Sequence, residues 1–310
     1  MSGESGNKPS AASVRAGRVE EITSVSNPRI KSVKALALKK KREAEGLFLA
    51  EGMKLAQDAM ETGWQMRMLI HSKKLLDDER LRDRVLSLAT TARARGADVL
   101  ITNDKVLTSI TRRDNAQMVV SVLQQSYADL ANIKPSGNDV WLALDRVRDP
   151  GNLGTVVRTA DALGAKGVIL VGDTTDPFAL EAVRATMGSL FHVPIFRASE
   201  AEFIAFADRW KSAGGAVTGT HLEGAVDHRS IDYSAQPQIV LMGNEQQGLT
   251  SALARACTNL ALIAMEGAAD SLNLAVATGI MLFEVRRHAL PQLDGQSARG
   301  AVMTGKGAES

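Results

Sequence analysis

Cysteine is almost missing from this chain. Cys257 stands alone among 310 residues, which excludes an internal disulfide framework and any zinc cluster built on paired thiolates. Aromatic residues make up 4%, too few for the row of stacked bases that single-strand nucleic-acid binders use. No apolar run approaches the ~18 residues of a membrane-spanning helix. Residues 1–18 lack the apolar stretch of a secretory signal, and the chain reads as a cytoplasmic protein with no membrane partner. The formal charge of +2 is too small to name a partner; local clusters have to do that. Phosphate cradles of the G-x-x-x-x-G-K-[ST] and G-x-G-x-x-G kinds are missing, as is a G-x-S-x-G hydrolase elbow. The five histidines (His71, His192, His221, His228, His288) lack paired metal spacing, so no metal site is expected. A ligand site in this chain must be built mostly from backbone and amide groups.

What is present divides the chain. Its length and 45% hydrophobic content suit two domains with ordinary cores. Residues 1–18 and 291–310 are small, polar and glycine-rich, and read as disordered tails. Residues 19–125 alternate strand and helix patterns, with the strands expected at Leu47–Ala50, Met66–Ile70, Ala97–Ile101 and Val119–Leu123. Ser26-Asn27-Pro28 signals the first helix start. Basic residues follow it: Arg29, Lys31, Lys34, then Lys39, Lys40, Lys41 and Arg42. The last four read either as a solvated helix end or as phosphate contacts. A linker at 126–138 precedes a second alternating unit, 139–290, expected to form a largely parallel sheet covered on both faces.

That second unit carries the chemistry. Strand Val140–Leu144 enters the charged loop from Asp145 to Gly151, and a helix is expected from about Asn152. Leu153, Val156, Val157 and Ala160 form its apolar stripe, and Arg158 lies off that stripe. Gly151 to Gly154 reads as a tight turn. Further helices are expected over 177–187 and 201–212. Near the C-terminus, strands Ile239–Met242 and Leu260–Met265 each run into a polar, glycine-bearing loop, 243–248 and 266–273. An almost wholly apolar helix follows, from Leu272 to about Arg287, with Ser271 as its candidate N-cap. Loops at the carboxyl ends of parallel strands are where open α/β sheets bind ligands.

Three segments, DPGNLGTVVRTADALGAKGVIL, MGNEQQGL and IAMEGAADSLNLAVATGI, occur in that order. They resemble the three motifs of the SpoU (TrmH) family of the SPOUT superfamily, RNA 2′-O-ribose methyltransferases that use S-adenosyl-L-methionine. SVSNPRIKSVKALALKKKREAEGLFLAEGMKLAQDA resembles the L30e-like RNA-binding domain joined to the ribosomal-RNA branch of that family. The resemblance covers about residues 20–288. It implies a C-terminal parallel-sheet SPOUT domain with a trefoil knot, a smaller N-terminal L30e-like α/β domain, and a homodimer.

Carried over by position, it places Gly243, Ile263 and Leu272 at the cofactor. Asn152, Arg158, Glu245, Ser271 and Asn273 fall on catalytic or structuring polar positions. Arg29, Lys39, Lys40, Lys41 and Arg42 are the expected RNA contacts. Ala264 stands where the family has proline, and Leu274-Ala275 where it has Val-Ser. The implied substrate is 23S-type ribosomal RNA; a transfer RNA, or an RNA-binding assembly protein without transfer, are the rivals. A guanidinium keeps its charge, so Arg158 suits a phosphate and a developing oxyanion better than the role of base. The hydroxyl proton is left to phosphate, water or Glu245.

Overall fold

A computed structural model describes residues 15–113, 117–222, 225–268 and 270–291. Most of both expected tails lies outside these residues. Gly17 and Arg18, expected in the N-terminal tail, are bound instead: Gly17 N–H donates to Arg93 O, and Arg18 O accepts from Val99 N–H.

The N-terminal part folds from β1 (Val19–Glu21), α1 (Pro28–Ala35), α2 (Lys39–Glu45), β2 (Leu47–Glu51), α3 (Met53–Glu61), β3 (Met66–Ser72), α4 (Glu79–Ala94), β4 (Asp98–Thr102), α5 (Asp104–Thr111) and β5 (Val119–Gln124). Its sheet has the order β1-β4-β3-β5-β2. β5 runs antiparallel to both β2 and β3, while β4 is parallel to β1 and β3. Local chemistry sets α1: Asn27 Oδ1 accepts from Arg29 N–H at 2.8 Å, and Pro28 supplies a helical φ at the first position. Ile30, Val33 and Leu36 of this stretch enter the core beside Leu49, Ile70 and Leu100.

The remaining elements are β6 (Val140–Asp145), α6 (Pro150–Ala162), β7 (Val168–Val171), α7 (Leu180–Ala185), β8 (Ile195–Ala198), α8 (Glu200–Ser212), β9 (Ala216–Thr220), β10 (Val226–Asp227), β11 (Gln238–Met242), α9 (Ser251–Ala256), β12 (Asn259–Leu262) and α10 (Leu274–Arg286). They build a seven-stranded sheet, β10-β12-β9-β11-β6-β7-β8, parallel in every register from β10 to β7. All residues of β6 and β11 are buried, as strands covered on both faces require. The mixed α/β class with a parallel C-terminal sheet is thus as the sequence implies. No helix among the described residues is long and apolar enough to cross a membrane.

By spatial contact the chain forms two compact units. One holds the described residues up to Ala128 together with Val147–Arg158 and Asp173–Arg197; the other holds Asp129–Arg146, Thr159–Gly172 and the described residues from Ala198 on. Within the first, the scarce aromatics concentrate in one cluster. Phe178 packs 4.8 Å from Phe48 and 5.1 Å from Tyr127, ring centre to ring centre, and Trp64 lies 5.5 Å from Phe191.

Several boundaries differ from expectation for local reasons. Gly151 and Gly154 lie inside α6 rather than in a tight turn, because Asp149 Oδ1 accepts from Asn152 N–H at 2.5 Å and starts the helix earlier. The helix expected over 177–187 is only Leu180–Ala185. Asp176 Oδ1 holds Phe178 N–H in a turn before it, and Met187 (φ 53°) and Gly188 (φ 104°) break it after. The strand β12 ends at Leu262, so Ile263 to Met265 leave the sheet.

Candidate active site

The second unit contains a cleft of ≈ 580 Å³ at the carboxyl ends of β9, β11 and β12, reached by Thr220, Met242 and Leu262. Its walls are the loop 243–248, Ile263, Met265 and Asp270 to Leu272, and the first turn of α10. Of the predicted site residues it brings together Gly243, Glu245, Ile263, Ser271 and Leu272. Gly243, Ile263 and Leu272 are half-buried, whereas Glu245 and Ser271 are exposed. Leu222 and Met265, both apolar, also line it while remaining 71% and 39% exposed.

The loop after β11 is a closed turn. Asn244 N–H donates to Gly248 O at 3.2 Å and Gly248 N–H returns to Asn244 O at 2.9 Å. Asn244 Oδ1 accepts from Gln246 N–H at 3.0 Å and Gln247 N–H at 3.2 Å. Gly243 N–H donates to Thr220 Oγ1 at 3.3 Å. A methyl group on Gly243 would sit 2.8 Å from Gly248 C and Leu249 N, so a side chain there would push this turn open. The far stem is fixed by Thr250, whose hydroxyl donates to Glu200 at 2.8 Å and accepts from Leu253 N–H at 3.1 Å as the cap of α9.

Behind the turn sits Arg146, at a left-handed φ of 48°. Its guanidinium donates two bonds of 2.9 Å to the buried Asp145 carboxylate and a third to Gln247 Oε1 at 3.1 Å. The hydrogen bonds to Asp145 push the Arg146 pKa above its ordinary value. Neither Arg146 nor Thr220 stands out in the sequence. Asn244 carries a usable signal, since an asparagine opening a glycine-closed loop is the residue that bonds the backbone two positions on.

Three other predicted residues stand outside the cleft lining. Asn273, not Ser271, caps α10: Asn273 Oδ1 accepts from Ala275 N–H at 2.9 Å and from Val276 N–H at 3.4 Å. The cap expected at Ser271 is therefore corrected by two residues, which leaves Ser271 to face the cleft. Asn152 is half-buried in the first turn of α6, and Arg158 is exposed near its far end.

The basic series divides. Lys39, Lys40 and Lys41 are exposed at the start of α2. Arg42 is corrected: it is 4% exposed and cannot reach RNA. Its guanidinium donates to Asp176 at 2.8 and 2.7 Å and to Leu36 O and Ala37 O at 2.9 Å each. Arg29 is held by Glu20 at 2.8 Å and by Asp98. Cys257 is half-buried, and burial pushes its thiol up to about 12.

Comparison with known proteins places these features. Residues 139–283 match the SpoU rRNA Methylase family and residues 27–121 match the MRM3-like substrate binding domain. A 23S rRNA (guanosine(2553)-2′-O)-methyltransferase, RlmP of Bacillus subtilis, is 30% identical over 268 residues, 86% of this chain and 100% of that protein. The AdoMet-bound rRNA methyltransferase from Sinorhizobium meliloti is 52% identical with a TM-score of 0.83, covering 89% of this chain and 100% of that one. The SpoU methyltransferase AviRb from Streptomyces viridochromogenes, in complex with AdoMet, is 29% identical with a TM-score of 0.75, over 85% of this chain and 98% of that one. With a relative of this identity matched over its entire length, and with both halves of the chain accounted for, the chain belongs to the SpoU rRNA methylase family.

Proposed function

We propose that this protein methylates a ribose 2′-hydroxyl of 23S-type ribosomal RNA, using S-adenosyl-L-methionine. The observation that carries the reading is the cleft at the ends of β9, β11 and β12, walled by the Gly243–Gly248 turn and the segment after β12. Its chemistry fits that cofactor. Exposed Leu222 and Met265 offer an apolar face to a purine and a methionyl chain, and unmet apolar surface of this kind marks a ligand site. The carboxylates of Glu245 and Asp270, both in the lining, complement a sulfonium charge. Gly243, Ile263 and Leu272 are the residues that would hold the cofactor, chiefly through their backbone.

When bound, S-adenosyl-L-methionine supplies an electrophilic methyl group. The chain's own part is alignment and exclusion of water, which carry most of the acceleration in an in-line displacement. Arg158 binds the phosphate next to the target ribose and stabilises the oxygen as its proton leaves. Asn152 orients Arg158, Asn273 fixes the start of α10, and Ser271 presents its hydroxyl to the cleft. Phosphate, water or Glu245 accepts the proton. Residues 19–125 act as the RNA-binding domain, with Lys39, Lys40 and Lys41 as its phosphate contacts, and residues 139–290 as the methyltransferase domain.

The reading extends to a cytoplasmic homodimer with a knotted carboxyl end. Support for the knot is the path of the chain after β12, which returns to pack α10 on β11. Support for the dimer is the exposed apolar stripe of α10, where Val276 is 52% and Phe283 55% exposed. The test is transfer of a labelled methyl group to 23S ribosomal RNA, mapped by resistance of the 2′-O-methylated linkage to alkali. Label at one alkali-resistant linkage is the expected result. Label confined to a base, found only in transfer RNA, or absent altogether overturns it.

A further inference from the structure

In the first unit, α7 is wedged between two partners. One side of it meets α6, where a methyl group built on Gly154 would overlap Ala182 O and lie 2.5 Å from Ala185 Cβ. Such a distance leaves no room for any side chain at 154, so the two helices are in backbone contact there. The other side carries Arg184 to the N-terminal sheet. Arg184 Nε donates to Glu51 Oε2 at 2.8 Å, and Nη2 donates to Glu51 Oε1 at 2.6 Å and to Thr111 O at 2.8 Å. Glu51 ends β2 and is 6% exposed; Thr111 ends α5. The turn leading into α7 is anchored a second time, by the buried pair of Arg42 with Asp176. Glu51, Thr111, Arg42 and Asp176 are buried, and the Nε and Nη2 donors of Arg184 are spent on Glu51 and Thr111, so these contacts hold α7.

What α7 holds in turn is α6. Gly154 is one turn before Arg158, and residues i and i+4 share a helix face. We propose that Arg184 is a positioning residue for Arg158: the N-terminal domain, gripping α7 through Glu51 and Thr111, sets the helix that carries the catalytic arginine. The inference rests on the transfer reaction proposed above. A bidentate arginine fixes direction as well as distance. A displacement of about an ångström at a charge-stabilising group is enough to slow a reaction severely.

The test compares the full-length wild type with Arg184→Ala, Arg184→Lys and Glu51→Gln in single-turnover transfer to ribosomal RNA. RNA and S-adenosyl-L-methionine affinities are measured on the same preparations. Arg184→Ala is expected to lower the transfer rate about tenfold or more, with both affinities held within about twofold. Arg184→Lys and Glu51→Gln, which keep one bond of the fork, should fall between. In an Arg158→Lys background, Arg184→Ala should add no further loss, because its effect passes through the residue already changed. An unchanged rate, a fully additive loss, or a loss confined to RNA affinity overturns the proposal. If Arg184→Ala does not fold, Arg184→Lys and Glu51→Gln carry the same comparison. Absence of transfer by the wild type overturns the functional reading itself, and the positioning role with it.

Discussion

Asn244 Nδ2 donates to the main-chain oxygen of Arg146 at 2.9 Å, joining the loop after β11 to the loop after β6. The same side chain accepts from two amides of its own turn, so one residue closes the turn and anchors it. Asn244→Ala removes all three bonds. It is expected to raise the dissociation constant for S-adenosyl-L-methionine about tenfold, the scale of one to two net hydrogen bonds. Asn244→Asp keeps the acceptor and loses the donor, so it should lie between. Calorimetric titration gives both values.

Gly243→Ala acts on the same turn by volume. The added methyl group meets backbone atoms of Gly248 and Leu249, which cannot swing aside as a flexible side chain would. A cost of roughly 1–3 kcal/mol is expected, the range for forcing an extra methyl group into a packed site. Thermal unfolding should show it, together with weaker cofactor binding. Gly267, whose Cβ would meet nothing within 4 Å, is the control: Gly267→Ala should leave the melting temperature near the wild-type value.

These two positions also show how far the sequence could be read. Gly243 and the turn behind it follow local rules, since an apolar strand running into Gly-Asn and closing at Gly248 already describes a ligand loop. The buried strands β6 and β11 were legible in the same way, as short unbroken apolar runs. Arg42 was not. Its environment is set by Asp176, 134 residues away, and no local pattern separates a buried arginine from the exposed lysines beside it. The aromatic cluster joining Phe48, Trp64, Phe178 and Phe191 was equally hidden, because scarcity in composition says nothing about where the few rings meet. Ser271 and Asn273 are both good caps, and the choice depended on where α10 begins to wind. Arg146 adopts its left-handed backbone because Asp145 and the turn over-determine it, a tertiary cause without a local signature.

The split within the basic series predicts two distinct phenotypes. Changing Lys39, Lys40 and Lys41 together to Ala should weaken RNA binding and flatten its salt dependence by roughly 2–3 in logarithmic slope, about one for each phosphate no longer neutralised. Folding and cofactor affinity should not change. Arg42→Ala should instead leave Asp176 buried without its partner, at a cost of about 3–5 kcal/mol. Filter binding across a salt series, beside chemical denaturation, separates them. Equal weakening of RNA binding in a folded Arg42→Ala protein would contradict the burial assignment.

His71 is 2% exposed, and burial lowers its pKa below the ordinary histidine value despite a bond from its ring to Ser72 O. The folded state therefore disfavours the protonated ring. As pH falls below about 6.5, the unfolded chain takes up a proton that the folded chain resists. Stability from this site is complete above that pH and declines as pH drops toward the folded-state value. Denaturation between pH 7.5 and 5.5 should show the decline. His71→Gln, which cannot titrate, should be less stable at pH 7.5 yet lose less over the same interval. An identical slope in the variant would remove His71 as the cause.

The exposed side of α10 gives the sharpest test of assembly. Val276, Ile280 and Phe283 follow one another at i, i+4 and i+7, a single stripe along the helix. Val276 and Phe283 are more than half exposed while Met281, Leu282 and Val285 fill the core behind them. Two large apolar side chains left half in water amount to a few kcal/mol of unrealised burial, and a two-fold contact between identical stripes is the commonest way for a chain to recover it. Phe283→Asp should therefore give a monomer at micromolar concentration in sedimentation velocity, with the fold intact by circular dichroism, because the change adds a charge only at the outer face. Phe283→Leu should remain a dimer. A wild-type protein that sediments as a monomer would leave the stripe to another partner.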